Sequence, residues 1–333
     1  MNEQEARSLI VSTGKELLSD KLVARTWGNV SSRLLGTSFL ITPSGRDYMS
    51  TAEQDLAIYD YETDEWTGPY KPSSEKGVHA VAYELFPEVG FVIHTHQAYA
   101  SAIGVYGVDT LDITKEEEEK LGGICEAAYG LPGTKKLKEA VQKAMETGAH
   151  TVFMKHHGVV IAGVDKEEAY ERILLLEEIC RRNWDGRQFV KPVREDERYL
   201  MEKAFILSEI KEEYPFADWA DTEAVITWSK GKKTLKAQLD DMAQMIGRSV
   251  PRVDYREDQI EKVLKNGNAV FVKGFGAVVC GRDEDDTEAL KLLLDKACIT
   301  ALHTHANQVK GTLSLVDCEL MHAIYQKKYS KLK

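Results

Sequence analysis

The sequence predicts an α/β protein that contains two units of related design. Amphipathic helical stretches alternate with short β-branched and apolar runs along the 333 residues, which is the pattern of mixed helices and strands. The run at 152–160 is also echoed in register at 270–278, which indicates a duplicated unit. A chain of this length can bury two hydrophobic cores, so two domains are expected.

Composition and charge exclude several classes of protein. Hydrophobic residues make up 43% and charged residues 29% of the chain, as in an ordinary globular protein. The formal net charge of −11 disfavours nucleic acid as a partner, and no apolar run approaches the roughly 18 residues of a membrane span. The acidic N-terminus lacks the features of a secretory signal, and five cysteines without a CxxC pair indicate a reducing compartment. We therefore expect a cytoplasmic protein that binds neither nucleic acid nor membrane.

The elements of the first half follow from periodicity and from turn residues. Residues 3–20 have apolar side chains at helical spacing and predict an amphipathic helix. Ser73 and Ser74 are both suited to cap the start of another helix, which Pro87 ends. Glycine-bearing turns and β-branched runs predict extended segments at 27–31, 38–45, 56–61, 89–94 and 151–161, and helical spacing predicts helices at 137–145 and 166–181.

The echo lies at an offset of 118 residues (270 − 152) and defines the domain prediction. Any strand–glycine–helix unit resembles any other to some degree, but Phe, Lys, Gly, Asp and Cys residues matched in register favour a true repeat. Phe275 stands where the first copy has His157. We therefore predict a catalytic domain at 1–200 and a degenerate partial repeat, without the metal site, at 201–333.

Three histidines are candidate metal ligands. His94 and His96 end a predicted strand, and side chains two residues apart project from the same face of a strand. His157 lies at another strand, where Gly158 permits close approach of a second backbone. Three histidines with an open fourth position are typical of a catalytic zinc site. The alternative is that they are polar residues whose hydrogen bonds are satisfied at strand ends.

The other histidines do not fit this pattern. His303 and His305 fall in a predicted helix, where residues two apart point about 200° away from each other, so they cannot chelate one ion. We expect them to be surface or packing residues. His79 follows Glu75 on a predicted helix and is expected to pack or to support the ligands without binding metal.

Five stretches, in their order along the chain, resemble the class II aldolase/adducin superfamily and within it the branch that cleaves fuculose 1-phosphate. They lie within about residues 1–200 and are Gly28-Asn29-Val30-Ser31, Ile41-Thr42-Pro43-Ser44-Gly45, Pro72-Ser73-Ser74-Glu75, His94-Thr95-His96 and His156-His157-Gly158. The resemblance implies an α/β/α sandwich around a largely antiparallel central sheet, assembled as a homo-oligomer, commonly a tetramer.

The same resemblance implies the composition of the active site. It implies one zinc ion per chain, held by His94, His96 and His157, with Glu75 as the catalytic acid/base. It implies a phosphorylated sugar as substrate, with the phosphate bound by Gly28, Asn29, Ser44, Gly45, Ser73 and Ser74. Glycine-rich turns, serine hydroxyls and a helix N-terminus can bind an anion on physical grounds as well. Capping and turn formation alone is the alternative for those serines.

The activity that the resemblance implies is cleavage of a ketose 1-phosphate to dihydroxyacetone phosphate and an aldehyde. Zinc would stabilise the enediolate that is left by carbon–carbon cleavage, and Glu75 would transfer a proton at carbon. Glutamate rather than aspartate at this position favours an aldolase over an epimerase. Residues 114–117 stand where the related aldolases have a tyrosine that assists proton transfer, and Tyr99 and Tyr129 are the candidates nearby.

Two other interpretations stay open. A pentulose-phosphate 4-epimerase or a decarboxylase on the same scaffold would use a similar metal-held anion, so the ligands alone cannot separate these reactions. A non-enzymatic interaction module, as in the adducins, is the third interpretation. The three histidines and Glu75 disfavour it, because a scaffold does not need them.

Overall fold

The computed structural model describes residues 2–190 and 196–328. These residues divide into two compact units, one up to Asn183 and one from Trp184 onward. The helices of the first unit are α1 (Glu3–Ser19), α2 (Lys76–Leu85), α3 (Ala98–Tyr106), α4 (Lys115–Lys120), α5 (Lys135–Met145) and α6 (Lys166–Arg182). Its strands are β1 (Asn29–Arg33), β2 (Ser38–Ile41), β3 (Ala57–Asp60), β4 (Glu65–Thr67), β5 (Phe91–Thr95), β6 (Ile124–Ala127), β7 (Thr151–Met154) and β8 (Gly158–Gly163).

The eight strands described in the first unit form one sheet in the order β4-β3-β2-β1-β5-β8-β7-β6. All neighbouring strands are antiparallel except β6 and β7, which are parallel. The segment predicted as one extended run at 151–161 is instead a hairpin of β7 and β8, because the backbone reverses at residues 155–157. This turn carries one of the candidate ligands.

Helices cover both faces of this sheet. Helices α1, α3 and α6 pack on one face and α2 and α5 on the other. Alternate residues of β5 divide between the two cores: Phe91 and Ile93 face the first group of helices, and Val92 faces the second. A strand that is buried on both faces is apolar at every position, which explains the unbroken apolar run before His94. The predicted α/β/α architecture with a largely antiparallel central sheet is confirmed.

The second unit has a smaller sheet in the order β12-β13-β14-β9 and a separate pair, β10 and β11. Its helices are α7 (Glu197–Glu213), α8 (Glu223–Lys230), α9 (Asp240–Met245), α10 (Glu257–Leu264), α11 (Glu284–Ala306) and α12 (Leu315–Lys328). Its strands are β9 (Ala217–Ala220), β10 (Leu235–Lys236), β11 (Ser249–Val250), β12 (Arg252–Val253), β13 (Ala269–Val272) and β14 (Gly276–Cys280).

Three consecutive elements of the two units have the same spacing. Strands β13 and β14 and helix α11 each begin 118 residues after β7, β8 and α6 (269 − 151, 276 − 158 and 284 − 166). Each pair of strands is an antiparallel hairpin, and each helix begins after an aspartate N-cap, Asp165 or Asp283. The sequence echo therefore corresponds to an echo of structure. Within the described residues, no helix has the length and apolar character needed to cross a membrane.

Candidate active site

The three candidate ligands meet at one end of the central strands. His94 is the fourth residue of β5 and His96 follows the end of that strand, while His157 lies in the turn before β8. Strands β5 and β8 pair with Thr95 opposite Val159, so this turn lies beside the end of β5. All three imidazoles are buried. The sheet register thus brings together histidines that are more than 60 residues apart in the chain.

The Nε2 atoms of the three rings converge. Nε2 of His94 lies 3.0 Å from Nε2 of His96 and 3.1 Å from Nε2 of His157, and all three ligand atoms lie within 4.8 Å of one another. Zinc–nitrogen bonds of about 2.0–2.1 Å in a tetrahedral site separate the ligand nitrogens by about 3.3 Å. The spacing between His94 and its two partners is therefore close to that of a tetrahedral metal site.

The chemistry of the donor set also fits a divalent cation. Nδ1 of His94 lies 2.8 Å from the carbonyl oxygen of Val159 and donates to it. In the neutral ring this leaves Nε2 with a lone pair that points into the cluster, which is how a backbone carbonyl fixes the ligating tautomer of a metal-bound histidine. Imidazole nitrogens suit zinc among other transition metals. These residues could hold such an ion.

The backbone around His157 depends on Gly158 and on an unusual conformation of His156. A Cβ atom on Gly158 would lie 2.3 Å from the carbonyl oxygen of Thr95 and 3.2 Å from Cε1 of His94. His156 has a φ of +64°, in the left-handed region. The turn therefore needs a residue without a side chain at position 158 if β8 is to lie against the end of β5.

Glu75 faces the histidines. Its Oε1 lies 2.9 Å from Nε2 of His157 and its Oε2 lies 3.2 Å from Nε2 of His94. Burial on its own raises the pKa of the Glu75 carboxyl, but the imidazoles of His157 and His94 outweigh it and hold the pKa well below its usual value. Glu75 is thus an ionised, buried carboxylate beside a cluster of nitrogen ligands.

The prediction that Ser73 or Ser74 caps helix α2 was wrong. The N-cap residue is Glu75 itself, and its side chain does not cap the helix, because it is turned toward the histidines. The hydroxyl of Ser73 instead accepts a hydrogen bond of 3.2 Å from the backbone N–H of Glu75. Ser73 thereby orders the turn that presents the carboxylate.

The residues predicted to bind phosphate fall into three neighbouring segments. Asn29 pairs with His94 across β1 and β5, next to Gly28, whose φ is +81°. Ser44 and Gly45 lie beside Ser73, because the backbone N–H of Ser44 donates to Lys71 and that of Ser73 donates to Thr42. Ser74 is exposed and, with Glu75, lines a cavity of about 490 Å³. None of the three histidines lines this cavity, and Ser74 is the only one of the six predicted phosphate-binding residues that does.

Comparison with known families identifies the protein family in which this arrangement of histidines and Glu75 is found. The model of the class II aldolase and adducin N-terminal domain matches residues 8–184, which is more than half of the chain. The chain belongs to the class II aldolase and adducin family. The match covers the first unit from residue 8 onward and contains the three histidines and Glu75.

Individual relatives are 25–27% identical to this chain. An L-ribulose-5-phosphate 4-epimerase, UlaF of Salmonella paratyphi B, is 27% identical over 220 residues, which are 61% of this chain and 94% of the relative. A solved L-fuculose 1-phosphate aldolase is 25% identical, with a TM-score of 0.52, over 62% of this chain and 98% of that one. YgbL of Klebsiella pneumoniae, a candidate aldolase/epimerase/decarboxylase, is 26% identical, with a TM-score of 0.51, over 55% of this chain and 89% of that one.

Residues 114–117 stand where the resemblance implied a tyrosine that assists proton transfer, and this chain has no tyrosine among them. Thr114 caps the short helix α4, and Glu117 of that helix pairs with Arg182, so residues 114–117 have a structural role; 114–116 are exposed and Glu117 is half-buried. The Tyr129 ring packs edge-on against His156, with ring centroids 5.4 Å apart. His303 and His305 lie on helix α11; Nδ1 of His303 accepts from the backbone of Asp185, as expected for a packing residue.

Sequence reasoning singled out Asn29 and His79 but missed the hydrogen bonds that join them, Ser31 and Tyr83 to Glu75. Asn29 donates to Glu75 and contacts His79, which in turn contacts Ser31, and Ser31 contacts Tyr83. No local spacing links the residues of β1 to those at the start of and along α2, because the bonded pairs lie 46 to 52 residues apart in the chain. The glycine-asparagine-valine-serine stretch at 28–31 was the available signal, since its alternate residues Asn29 and Ser31 point to one face of a strand.

Strand register identifies the positions of the second unit that correspond to the histidines. Thr95 pairs with Val159, and Ala220 pairs with Ala277, which lies 118 residues after Val159. Ala220 therefore occupies the place of Thr95. Its chain neighbours Trp219 and Asp221 take the places of His94 and His96, and Phe275 takes the place of His157.

Aromatic rings and an ion pair fill these positions. The Phe275 ring stacks on Tyr199 and Tyr255, with centroids 4.9 Å and 4.5 Å apart. Nζ of Lys203 lies 5.1 Å from the centroid of the Trp219 ring and forms a short ion pair with Asp221. This arrangement lacks the convergent nitrogens of the first unit and packs like a small core.

Proposed function

We propose that this class II aldolase family member is a zinc-dependent enzyme that cleaves a ketose 1-phosphate, such as L-fuculose 1-phosphate, to dihydroxyacetone phosphate and an aldehyde. The observation that carries the proposal is the convergence of three buried imidazoles and one buried carboxylate at the end of the central strands. Three nitrogen ligands with room for a substrate oxygen are the composition of a catalytic rather than a structural metal site.

His94, His96 and His157 would hold one zinc ion per chain. The ion would supply a positive charge beside the substrate carbonyl and stabilise the enediolate that is left when the carbon–carbon bond breaks. The hydrogen bond from His94 to the carbonyl of Val159 supports this assignment, because it fixes the ring in the tautomer that ligates through Nε2.

Glu75 is proposed as the acid/base. Cleavage of the C3–C4 bond leaves its electron pair on the ketose fragment, and the C4 hydroxyl loses a proton to solvent as the aldehyde forms. Glu75, which is ionised in the free enzyme, takes up one proton from solvent and delivers it to C3, which yields dihydroxyacetone phosphate and balances the proton lost from the C4 hydroxyl. Asn29 donates to one carboxylate oxygen, which leaves the other available for this transfer.

We propose that Gly28, Asn29, Ser44, Gly45, Ser73 and Ser74 surround the substrate phosphate. Their neighbouring loops and the adjacent start of helix α2 support this role, since backbone N–H groups and hydroxyls at a helix N-terminus bind anions. The second unit is proposed to be a degenerate repeat with a structural role, because aromatic residues stand at the ligand positions. By family resemblance, the chain is proposed to form homo-oligomers.

A 4-epimerase acting on a pentulose phosphate is the second candidate. The UlaF relative, named as an L-ribulose-5-phosphate 4-epimerase, favours it. Glutamate at position 75 favours the aldolase, as does the likeness to an L-fuculose 1-phosphate aldolase along 98% of that protein. The two activities differ in whether the fragments leave the enzyme.

The test is turnover of two substrates beside measured zinc content. The zinc-loaded chain is given L-fuculose 1-phosphate, with release of dihydroxyacetone phosphate followed, and L-ribulose 5-phosphate, with the configuration at C4 followed by NMR. We expect release of the first product, and expect Glu75→Gln to lose about 10²–10⁴-fold in turnover while it keeps its zinc. Glu84→Gln, at the exposed end of the same helix, is the control. Full turnover by Glu75→Gln at unchanged zinc content would show that the proposed role is wrong.

A further inference from the structure

Five buried polar side chains form one continuous line that ends at Glu75. The hydroxyl of Tyr83 lies 2.8 Å from Oγ of Ser31, and that Oγ lies 2.6 Å from Nδ1 of His79. On the other side of the ring, Nε2 of His79 makes a short hydrogen bond with Oδ1 of Asn29. Nδ2 of Asn29 then donates to Oε2 of Glu75 over 3.1 Å.

The two ends of the Asn29 amide set the direction of the hydrogen bonds in this line. Nδ2 of Asn29 can only donate and lies against Oε2 of Glu75, while Oδ1 of Asn29 can only accept and lies against His79. Nε2 of His79 is then the protonated nitrogen. Burial, and then the neighbouring His94, lower the pKa of His79 to about 3, so the ring is neutral and its Nδ1 carries a lone pair.

The remaining two bonds follow from that lone pair. Ser31 must donate to Nδ1 of His79, and Ser31 must then accept from the hydroxyl of Tyr83. Only one arrangement of protons satisfies all four bonds, and a cation at the histidine cluster would reinforce it by favouring the neutral ring still further. Each hydrogen bond from Tyr83 to the carboxylate of Glu75 therefore has one defined donor and one defined acceptor.

Burial raises the free-energy cost of reversing any hydrogen bond in this line. Ser31 and His79 are fully buried and Tyr83 and Asn29 nearly so, with exposed fractions of 2% and 4%. If the amide of Asn29 turned over, its oxygen would face the carboxylate, and a buried acceptor without a donor costs roughly 1–3 kcal/mol. A network with a purely structural role would not need to end on a carboxylate that faces the histidines.

We propose that Ser31, His79 and Tyr83 are positioning residues, which act through Asn29 to hold the carboxylate of Glu75 in the orientation required for proton transfer. This rests on the proposed function of Glu75 as the acid/base. None of the three is a proposed metal ligand or one of the residues proposed to surround the phosphate. Their effect is therefore on the rate of the chemical step and not on substrate binding.

Kinetics of four variants test the network. We expect Ser31→Ala, Tyr83→Phe and His79→Leu to lower kcat about 10–100-fold, as is usual when the partners of a site residue are removed, with KM within about threefold and zinc content unchanged. His79→Gln, whose amide can still donate to Asn29, is expected to recover part of the loss. Tyr170→Phe is the control, since it removes a part-buried tyrosine hydrogen bond of 2.7 Å to Asp20 elsewhere in the first unit.

A second measurement does not depend on activity. Histidine ¹⁵N NMR of the full chain is expected to show His79 neutral and protonated at Nε2 in the wild type. A neutral ring protonated at Nδ1, or a charged ring, would overturn the proposal. So would unchanged kcat in Ser31→Ala, or an equal loss in Tyr170→Phe. If the wild type turns over neither ketose phosphate, the proposed function fails, and the state of His79 still decides whether the network exists.

Discussion

Replacing Gly158 by alanine is predicted to damage the histidine cluster without removing any ligand. The added Cβ would lie 2.3 Å from the carbonyl oxygen of Thr95, about 1 Å inside an ordinary contact, and the blocking atom belongs to the backbone. Strand β8 or the end of β5 must therefore move, and these segments carry His157 and His94. Forced shifts of this kind cost about 1–3 kcal/mol, and metal sites tolerate ligand displacements of only about 0.2 Å.

Two quantities measure the effect. We expect the melting temperature of the first unit to fall by roughly 3–10 °C, and zinc affinity, from titration against a competing chelator, to fall at least about tenfold. Gly104→Ala is the control in the same unit, because its added Cβ would meet Phe153 at an ordinary 3.4 Å within helix α3. Wild-type zinc affinity and melting temperature in Gly158→Ala would refute the argument that close strand approach builds the site.

Two further predictions concern stability. Phe275→Ala should destabilise the second unit by roughly 2–3 kcal/mol, since the ring stacks on two aromatic neighbours. Chelator titration should find the zinc affinity of the chain unchanged. A loss of zinc would contradict the structural role of Phe275. Burial and nearby Arg172 lower the pKa of His150 below its usual 6.5, against the pull of Glu88. The folded state therefore binds fewer protons, and stability falls as the pH drops through about 6.5. The wild-type melting temperature should drop more between pH 7.5 and 5.5 than that of His150→Gln, and an equal drop would contradict the assignment.

The sequence predicted the elements of the first unit better than it predicted their contacts. Local periodicity and β-branched runs were enough for helices α1, α5 and α6 and for strand β5. The alternation of side chains along a strand was enough to place His94 and His96 on one face. The hairpin at 151–163 was missed because its turn, residues 155–157, contains neither proline nor glycine. Gly158 already belongs to β8, and His156 adopts the left-handed conformation in the turn.

The position of Glu75 shows why local sequence preferences do not predict tertiary contacts. Local preference assigned the cap of helix α2 to a serine, but the N-cap residue is Glu75, whose carboxylate faces two imidazoles and does not cap the helix. The pairing of Asn29 with His94 is likewise a matter of strand register, which depends on the whole sheet. Contacts across strands and between β1 and α2 therefore had to come from the structure.

The most direct test of the account is the zinc content of the purified chain, measured by elemental analysis beside His157→Ala. The account predicts about one zinc ion per chain in the wild type and none in the variant, since one of three convergent ligands is gone and the aromatic positions of the second unit offer no replacement. The absence of metal from the wild type, even after incubation with zinc, would contradict the central claim, as would a variant that keeps its full zinc content.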